Sequence, residues 1–445
     1  MTQKPFVLVT LLVAALVAAA VPAFAQTQPT PRPGRPSRSL FGNAAQNLSQ
    51  RLTLNVSFGA GHDQDLAEET PGTGVVIGAA PRPRSGQFGS GSARLSYGLE
   101  RGAISAGLGI GAHARYYSAS SDPIIGTYSG NGDLAVTLGK RTTVSTSFHA
   151  GLFRQSLALV NSGALGSGNE FASPLDPTAL IDTATYQNVR ATAQVNHQVF
   201  SRLTVNGSYS YYTNNVYASI GPGRYAAQSA TGGVTYQILK GVGLRLGYTF
   251  TDAALGPSAA GQYAGRNFDG GINFSRELSL TRRTTLTFST GATGVTDASG
   301  SVRYFATGQA SFGHEIGRSW NLSLSGGRNA DFFHALGQPV MMDTLGGGVS
   351  GQLGRRLQLS SHVAVVRGTA LTSSVSSKFS SANAGVGLQV SVFRSLAVNV
   401  SYTYYRYQFD DSLLLPPGVL SQLDRQSIRV SLNVWAPLLM RARRN

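Results

Sequence analysis

Cysteine is absent from the 445 residues, charged residues make up only 13%, and no stretch after residue 25 approaches 18 unbroken apolar positions. Without thiols there is no disulfide scaffold and no thiolate-held zinc or iron–sulfur site. Their absence also suits a chain that folds in an oxidising compartment, where stray thiols are a hazard. The missing apolar run excludes a membrane-spanning helix in the mature chain. Little charge beside 42% apolar residues argues against a disordered chain. What is abundant is glycine, with 54 positions, and basic charge, with a net +16.

The first segment reads as an export signal. Lys4 precedes an apolar run from Phe6 to Val21, and Ala23-Phe24-Ala25 supplies a small-residue cleavage site. Residues 1–25 are therefore expected to be a secretory signal peptide. Residues 26–49, opening with QTQPTPRPGRPSRS, are expected to be a disordered, Pro/Arg-rich periplasmic segment.

From residue 51 the pattern alternates. Leu52, Leu54, Val56 and Phe58 are separated by Thr53, Asn55 and Ser57. Ile104, Ala106, Leu108 and Ile110, and later Ala382, Ala384, Val386 and Leu388, repeat the scheme over glycine and small polar residues. A period of two gives each face of a strand its own chemistry, whereas a helix needs apolar positions at spacings of three and four. Tight breaks fall at Glu100-Arg101-Gly102, Lys140-Arg141, Ser201-Arg202, Lys240-Gly241, Arg282-Arg283, Gly317-Arg318, Arg355-Arg356 and Arg394-Ser395. Longer polar connections lie at 62–86, 118–127, 155–183, 213–224, 252–262, 296–302, 331–340, 367–378 and 409–424. Eight tight turns and nine long loops join eighteen strands. The expected fold is an all-β, transmembrane, antiparallel up-and-down barrel of 16–18 strands over residues 50–436, followed by a basic tail at 437–445. A propeller would need four short strands per repeat, and these repeats hold two long ones.

The face chemistry says which side meets lipid. Thr285, Thr287, Ser289 and Gly291 oppose Leu286, Phe288 and Ala292. Small polar groups cannot fill a wide barrel by close packing, so the apolar face looks outward. Aromatics gather at the long-loop ends, as at Tyr116, Tyr117, Tyr209, Tyr211, Tyr402, Tyr404, Tyr405 and Tyr407, the behaviour of an interfacial belt.

Charge is segregated. Basic residues occupy every tight turn and both ends, while most acids, Asp63 among them, fall in long loops. By alternation Arg94, Arg115, Arg190, Arg245, Arg303 and Arg429 fall on the polar face, against Asp133 and Asp269. These eight are the expected pore-lining residues, and a basic lumen favours anions. Basic turns at one membrane face would also attract anionic head groups. A nucleic-acid partner would require a continuous basic surface on a recognisable fold element, and none is present.

Enzymatic readings lose on the residues. None of the seven histidines has serine two positions on, the pairing by which the outer-membrane phospholipase activates its hydroxyl, and neither HExxH nor Gly-x-Ser-x-Gly occurs. No cofactor is expected. The stretch between Gln26 and the first strand is too short for the folded plug of a siderophore-type transporter or the passenger of an autotransporter.

The alternation and turn spacing resemble the outer-membrane porin class. With phrases such as Ala93-Arg94-Leu95-Ser96-Tyr97 and Ser401-Tyr402-Thr403-Tyr404-Tyr405, the chain is most similar to the β-barrel porins found with exopolysaccharide and cell-surface assembly systems. That resemblance implies a Gram-negative outer-membrane pore with no catalytic residue. The expected function is a passive aqueous channel for small polar or anionic solutes, or alternatively a conduit or scaffold in surface-polysaccharide export. Expected partners are outer-membrane lipid and lipopolysaccharide and the barrel-insertion machinery, with further copies of the chain in a homo-oligomer left open. Barrel proteins of this kind usually end on an aromatic residue, whereas here Trp435 is followed by APLLMRARRN.

Overall fold

The computed structural model describes residues 40–42, 48–65, 86–118, 124–153, 185–218, 221–239, 241–255, 261–277, 284–296, 302–317, 319–333, 338–371, 378–410 and 422–442. The expected signal peptide and most of the long loop at 155–183 lie outside them. Eighteen strands follow in chain order: β1 (Leu48–Asp65), β2 (Gly86–Arg101), β3 (Ile104–Tyr117), β4 (Ile124–Leu138), β5 (Thr142–Phe153), β6 (Thr185–Phe200), β7 (Leu203–Ala218), β8 (Gly221–Leu239), β9 (Val242–Leu255), β10 (Gly261–Glu277), β11 (Thr284–Thr296), β12 (Val302–Ile316), β13 (Trp320–Phe333), β14 (Gln338–Leu353), β15 (Leu357–Ala370), β16 (Lys378–Ser391), β17 (Leu396–Phe409) and β18 (Gln422–Ala442).

Each strand pairs antiparallel with its sequence neighbours, and β1 pairs with β18, so the sheet closes on itself as an eighteen-stranded barrel. Closure matters because a lipid-exposed sheet edge would leave backbone donors and acceptors unsatisfied. The alternation decides the faces as expected. Phe58 on β1, Ile110 on β3, Leu246 on β9 and Leu345 on β14 stand outward with 60%, 62%, 69% and 67% of their surface exposed. An apolar wall of this kind is a liability in water and a match for acyl chains. The tight turns need a left-handed residue, which glycine supplies at Gly102 (φ 58°) and Gly354 (φ 78°).

Several boundaries differ from expectation. The strands are longer than the roughly 10 residues that a tilted strand needs to cross the bilayer, ranging from 12 residues in β5 to 21 in β18. The expected loop at 213–224 is largely strand, with β7 running to Ala218 and β8 starting at Gly221. Asp63, assigned by sequence to a loop, lies in β1. The expected tail also begins too early: β18 continues to Ala442 after a bulge opposite Leu52 and Thr53, because Pro437–Ala442 finds partners at Leu48–Thr53.

The segment ahead of β1 is corrected in part as well. Residues 40–42 are placed, with the Leu40 amide donating to the Arg355 carbonyl at 2.8 Å and the Gly42 amide to the Arg394 carbonyl at 3.0 Å. They thus lie against the β14–β15 and β16–β17 turns, beside the buried indole of Trp435. Two turn carbonyls with no strand partner explain why an otherwise polar stretch is anchored there.

Candidate pore lining

The inward face is built from small polar residues, a direct result of the period-two pattern. Hydroxyls on adjacent strands bond to one another, as in Ser210–Ser229 at 2.7 Å, Thr231–Thr249 at 2.9 Å and the short Thr287–Ser311 contact. From β9 round to β16 the wall encloses a recess of 440 Å³, reached by Arg245, Asp269, Ser289, Gln309, His362 and Asn383.

The eight expected lining residues all lie on inward-facing positions of their strands, but they meet different surroundings. Arg94, Arg190, Arg303 and Asp133 are exposed. The Arg94 guanidinium reaches across β3 to donate to Asn131 on β4 at 3.1 Å, over Gly109 and Gly111, which have no side chain to obstruct it. Arg245 on β9 forms an ion pair with Asp269 on β10 at 2.8 Å, with 29% and 34% of the two side chains exposed. Arg429 is half-buried and donates to Ser57 at 3.5 Å.

Arg115 does not line open water, contrary to expectation. It is 2% exposed and donates to Asp63 Oδ2 at 2.6 Å and to the Tyr117 hydroxyl at 3.0 Å. Its guanidinium carbon lies 3.8 Å from the centre of the Phe88 ring, a cation–π geometry. A second arginine that sequence reasoning did not single out, Arg425 on β18, donates to the same Asp63 oxygen at 2.8 Å and to the Tyr117 hydroxyl at 3.3 Å. The Tyr117 hydroxyl in turn donates to Asp63. Barrel closure makes this possible: β18, β1, β2 and β3 are consecutive around the wall, and Asp63 is the carboxylate on which both cations converge. The glycine at 61 has a local role, since a Cβ there would come within 2.5 Å of the Phe88 ring.

Further round, Phe379, Tyr405, Tyr407 and Phe409 are also buried inward, with ring centres 5.4–5.9 Å apart. Sequence reasoning put Tyr117, Tyr405 and Tyr407 in the interfacial belt, but neighbours in a strand must face opposite ways. Tyr116, Tyr402 and Tyr404 look outward, whereas Tyr117 and Tyr405 look in. Among the described residues, the inward positions carry Arg51, Arg94, Arg115, Arg190, Arg245, Arg303, Arg425 and Arg429 against Asp63, Glu100, Asp133, Asp269 and Glu315, so the cations outnumber the carboxylates. Among the described residues no group of three or more His, Asp or Glu could hold a metal ion.

No family model matches the chain, and no curated protein matches it. Solved structures that resemble it include OccK2 (OpdF) of Pseudomonas aeruginosa in complex with glucuronate, at 12% identity and a TM-score of 0.43, covering 88% of this chain and 100% of that one. OccK11 (OpdR) of the same organism matches at 10% identity and 0.42, covering 90% and 100%. The siderophore receptor PirA of Acinetobacter baumannii matches at 8% identity and 0.44, covering 88% and 81%. At this similarity none lends a residue or a substrate to the present chain.

Proposed function

We propose that the protein is an outer-membrane barrel that forms a passive aqueous channel for small polar solutes and prefers anions. The observation that carries the reading is the inward wall: hydroxyls, amides and glycines with arginines in excess of aspartates. Exposed Arg94, Arg190 and Arg303 set the field in the water they face. The Arg245–Asp269 pair contributes little net charge, and Asp63 offsets one of the two arginines it binds. No reaction is required of any residue in this reading.

Planar-bilayer recording under a potassium chloride gradient tests it. The reversal potential should report chloride passing faster than potassium in low salt. The preference should fade near 1 M salt, where screening shortens to roughly 3 Å. A cation-selective channel would refute the anion preference.

A second reading, a conduit or scaffold in surface-polysaccharide assembly, has one feature that favours its scaffold form. The loop-side interior from β15 to β3 is packed with buried side chains, among them Val366, Phe379, Tyr407, Arg425 and Tyr117. A folded, inserted barrel that shows no conductance would favour the scaffold.

A further inference from the structure

The turn end of the barrel carries a charge that the channel reading does not use. Arg101, Lys140, Arg202, Arg355, Arg356 and Arg394 stand exposed at the tight turns. Exposed carboxylates at this end, among the described residues, are Glu100 and Glu315. The cations are not gathered on one side. They occur at the β2–β3, β4–β5, β6–β7, β14–β15 and β16–β17 turns, and the chain has a basic residue at each of its remaining tight turns.

A second observation accompanies the first. Most of these cations sit within three positions of an exposed apolar side chain: Arg101 with Ile104 at 43%, Arg202 with Phe200 at 66%, Arg355 with Leu353 at 56% and Arg394 with Phe393 at 63%. A rim cation a few positions in sequence from an exposed apolar side chain suits a phosphate and the start of its acyl chain together. A folded protein partner would contact one arc of the rim, whereas a lipid shell meets it from every direction.

We propose that this rim binds a ring of anionic phospholipid from the periplasmic leaflet, with the phosphate diester of phosphatidylglycerol as the chemistry it recognises. The inference rests on the barrel itself and not on what passes through it. A failure of selectivity in the bilayer recording therefore leaves it standing, and its own failure leaves the channel reading standing.

The test uses the full mature chain in detergent, with bound lipid counted by native mass spectrometry as phosphatidylglycerol or phosphatidylethanolamine is added. The wild type should retain phosphatidylglycerol in preference. The triple variant Arg101→Gln, Lys140→Gln, Arg202→Gln should lose that preference over its arc of the rim, by roughly fivefold per removed cation. Arg355→Gln with Arg356→Gln does the same on the opposite arc, should the triple variant fail to fold as judged by heat-modifiable gel mobility. Arg328→Gln, on the outer wall away from the turns, serves as the control and should leave retention unchanged. Equal retention of the two lipids by the wild type overturns the proposal, as does unchanged retention in both turn variants. Displacement of phosphatidylglycerol by millimolar inorganic phosphate also overturns it, since a lipid surface holds its ligand by chain and head group together.

Discussion

Replacing Asp63 by asparagine should be among the most damaging single changes in the barrel wall. The substitution keeps the shape and removes the one carboxylate shared by Arg115 and Arg425, which lie at 2.6 and 2.8 Å from it with all three side chains buried. It also turns one acceptor into an amide donor facing guanidinium donors. Removing one partner of a buried ion pair costs about 3–5 kcal/mol, because the remaining charge is left without compensation in a poorly solvating site. The folded-to-unfolded ratio should therefore fall by roughly two to three and a half powers of ten. Urea titration of the refolded protein in lipid vesicles, followed by gel mobility, gives the midpoint. The accompanying control is Arg115→Met, whose stem still packs on Phe88. Adding Arg115→Met to Asp63→Asn should cost much less than adding it to the wild type. A loss under about 0.5 kcal/mol for Asp63→Asn, or strict additivity of the pair, would refute the idea that this cluster acts as one charged unit.

Gly61→Ala should destabilise the wall by about 1–3 kcal/mol, as expected for overpacking against the Ile428 carbonyl of the neighbouring strand and the Phe88 ring; the same urea assay reads it. The combined variant Arg94→Gln, Arg190→Gln, Arg303→Gln should move the reversal potential toward zero selectivity, whereas Arg115→Met should leave it nearly unchanged, since Arg115 is sealed from water. Trp435 is one of two tryptophans, so in a Trp320→Phe background its fluorescence reports the turn-end interior. A chain shortened to begin at residue 43 should show a red-shifted emission, because Leu40 and Gly42 no longer lie across the adjoining turns. The full chain should partition with the outer-membrane fraction and require detergent; recovery in a soluble periplasmic extract would overturn the lipid-facing assignment of Phe58, Ile110 and Leu246.

The strands and their faces were legible because a period of two is a local property: Leu286 and Thr287 differ in chemistry and must differ in direction. Parity assigns all eight expected lining residues to the face opposite the exposed apolar side chains, but it says nothing of whether each meets water, and Arg115 does not. Strand ends were less legible, since pairing continues past the roughly 10 residues that a span needs wherever two neighbouring segments remain in register, as from Val216 to Gly223 across the β7–β8 connection. What alternation could not show was company. Arg115 and Asp63 are 52 positions apart, and Arg425 and Asp63 are 362 apart. Nothing in either neighbourhood announces that closure will set them side by side. Arg425 itself was within reach of alternation, since it lies just past the loop expected at 409–424 and shares the parity of Arg429 four positions on; what the pattern does not reveal is its carboxylate partner.

The seam between β1 and β18 also constrains the order of events in folding. It joins the first strand to the last, so its pairings span most of the chain, and no local hairpin can prepare them. Until β18 is complete, β1 presents an open edge with unpaired amides and carbonyls, the surface on which strands of other chains assemble. The Asp63 carboxylate stays hydrated over the same interval, because Arg425 reaches it only when the seam forms. Desolvation of that carboxylate and the end of edge exposure thus fall in a single late step. Kinetic traps and misassembly should accumulate just before it, and a proteolytic nick in β18 should be far more harmful than one in any strand that completes its pairing earlier.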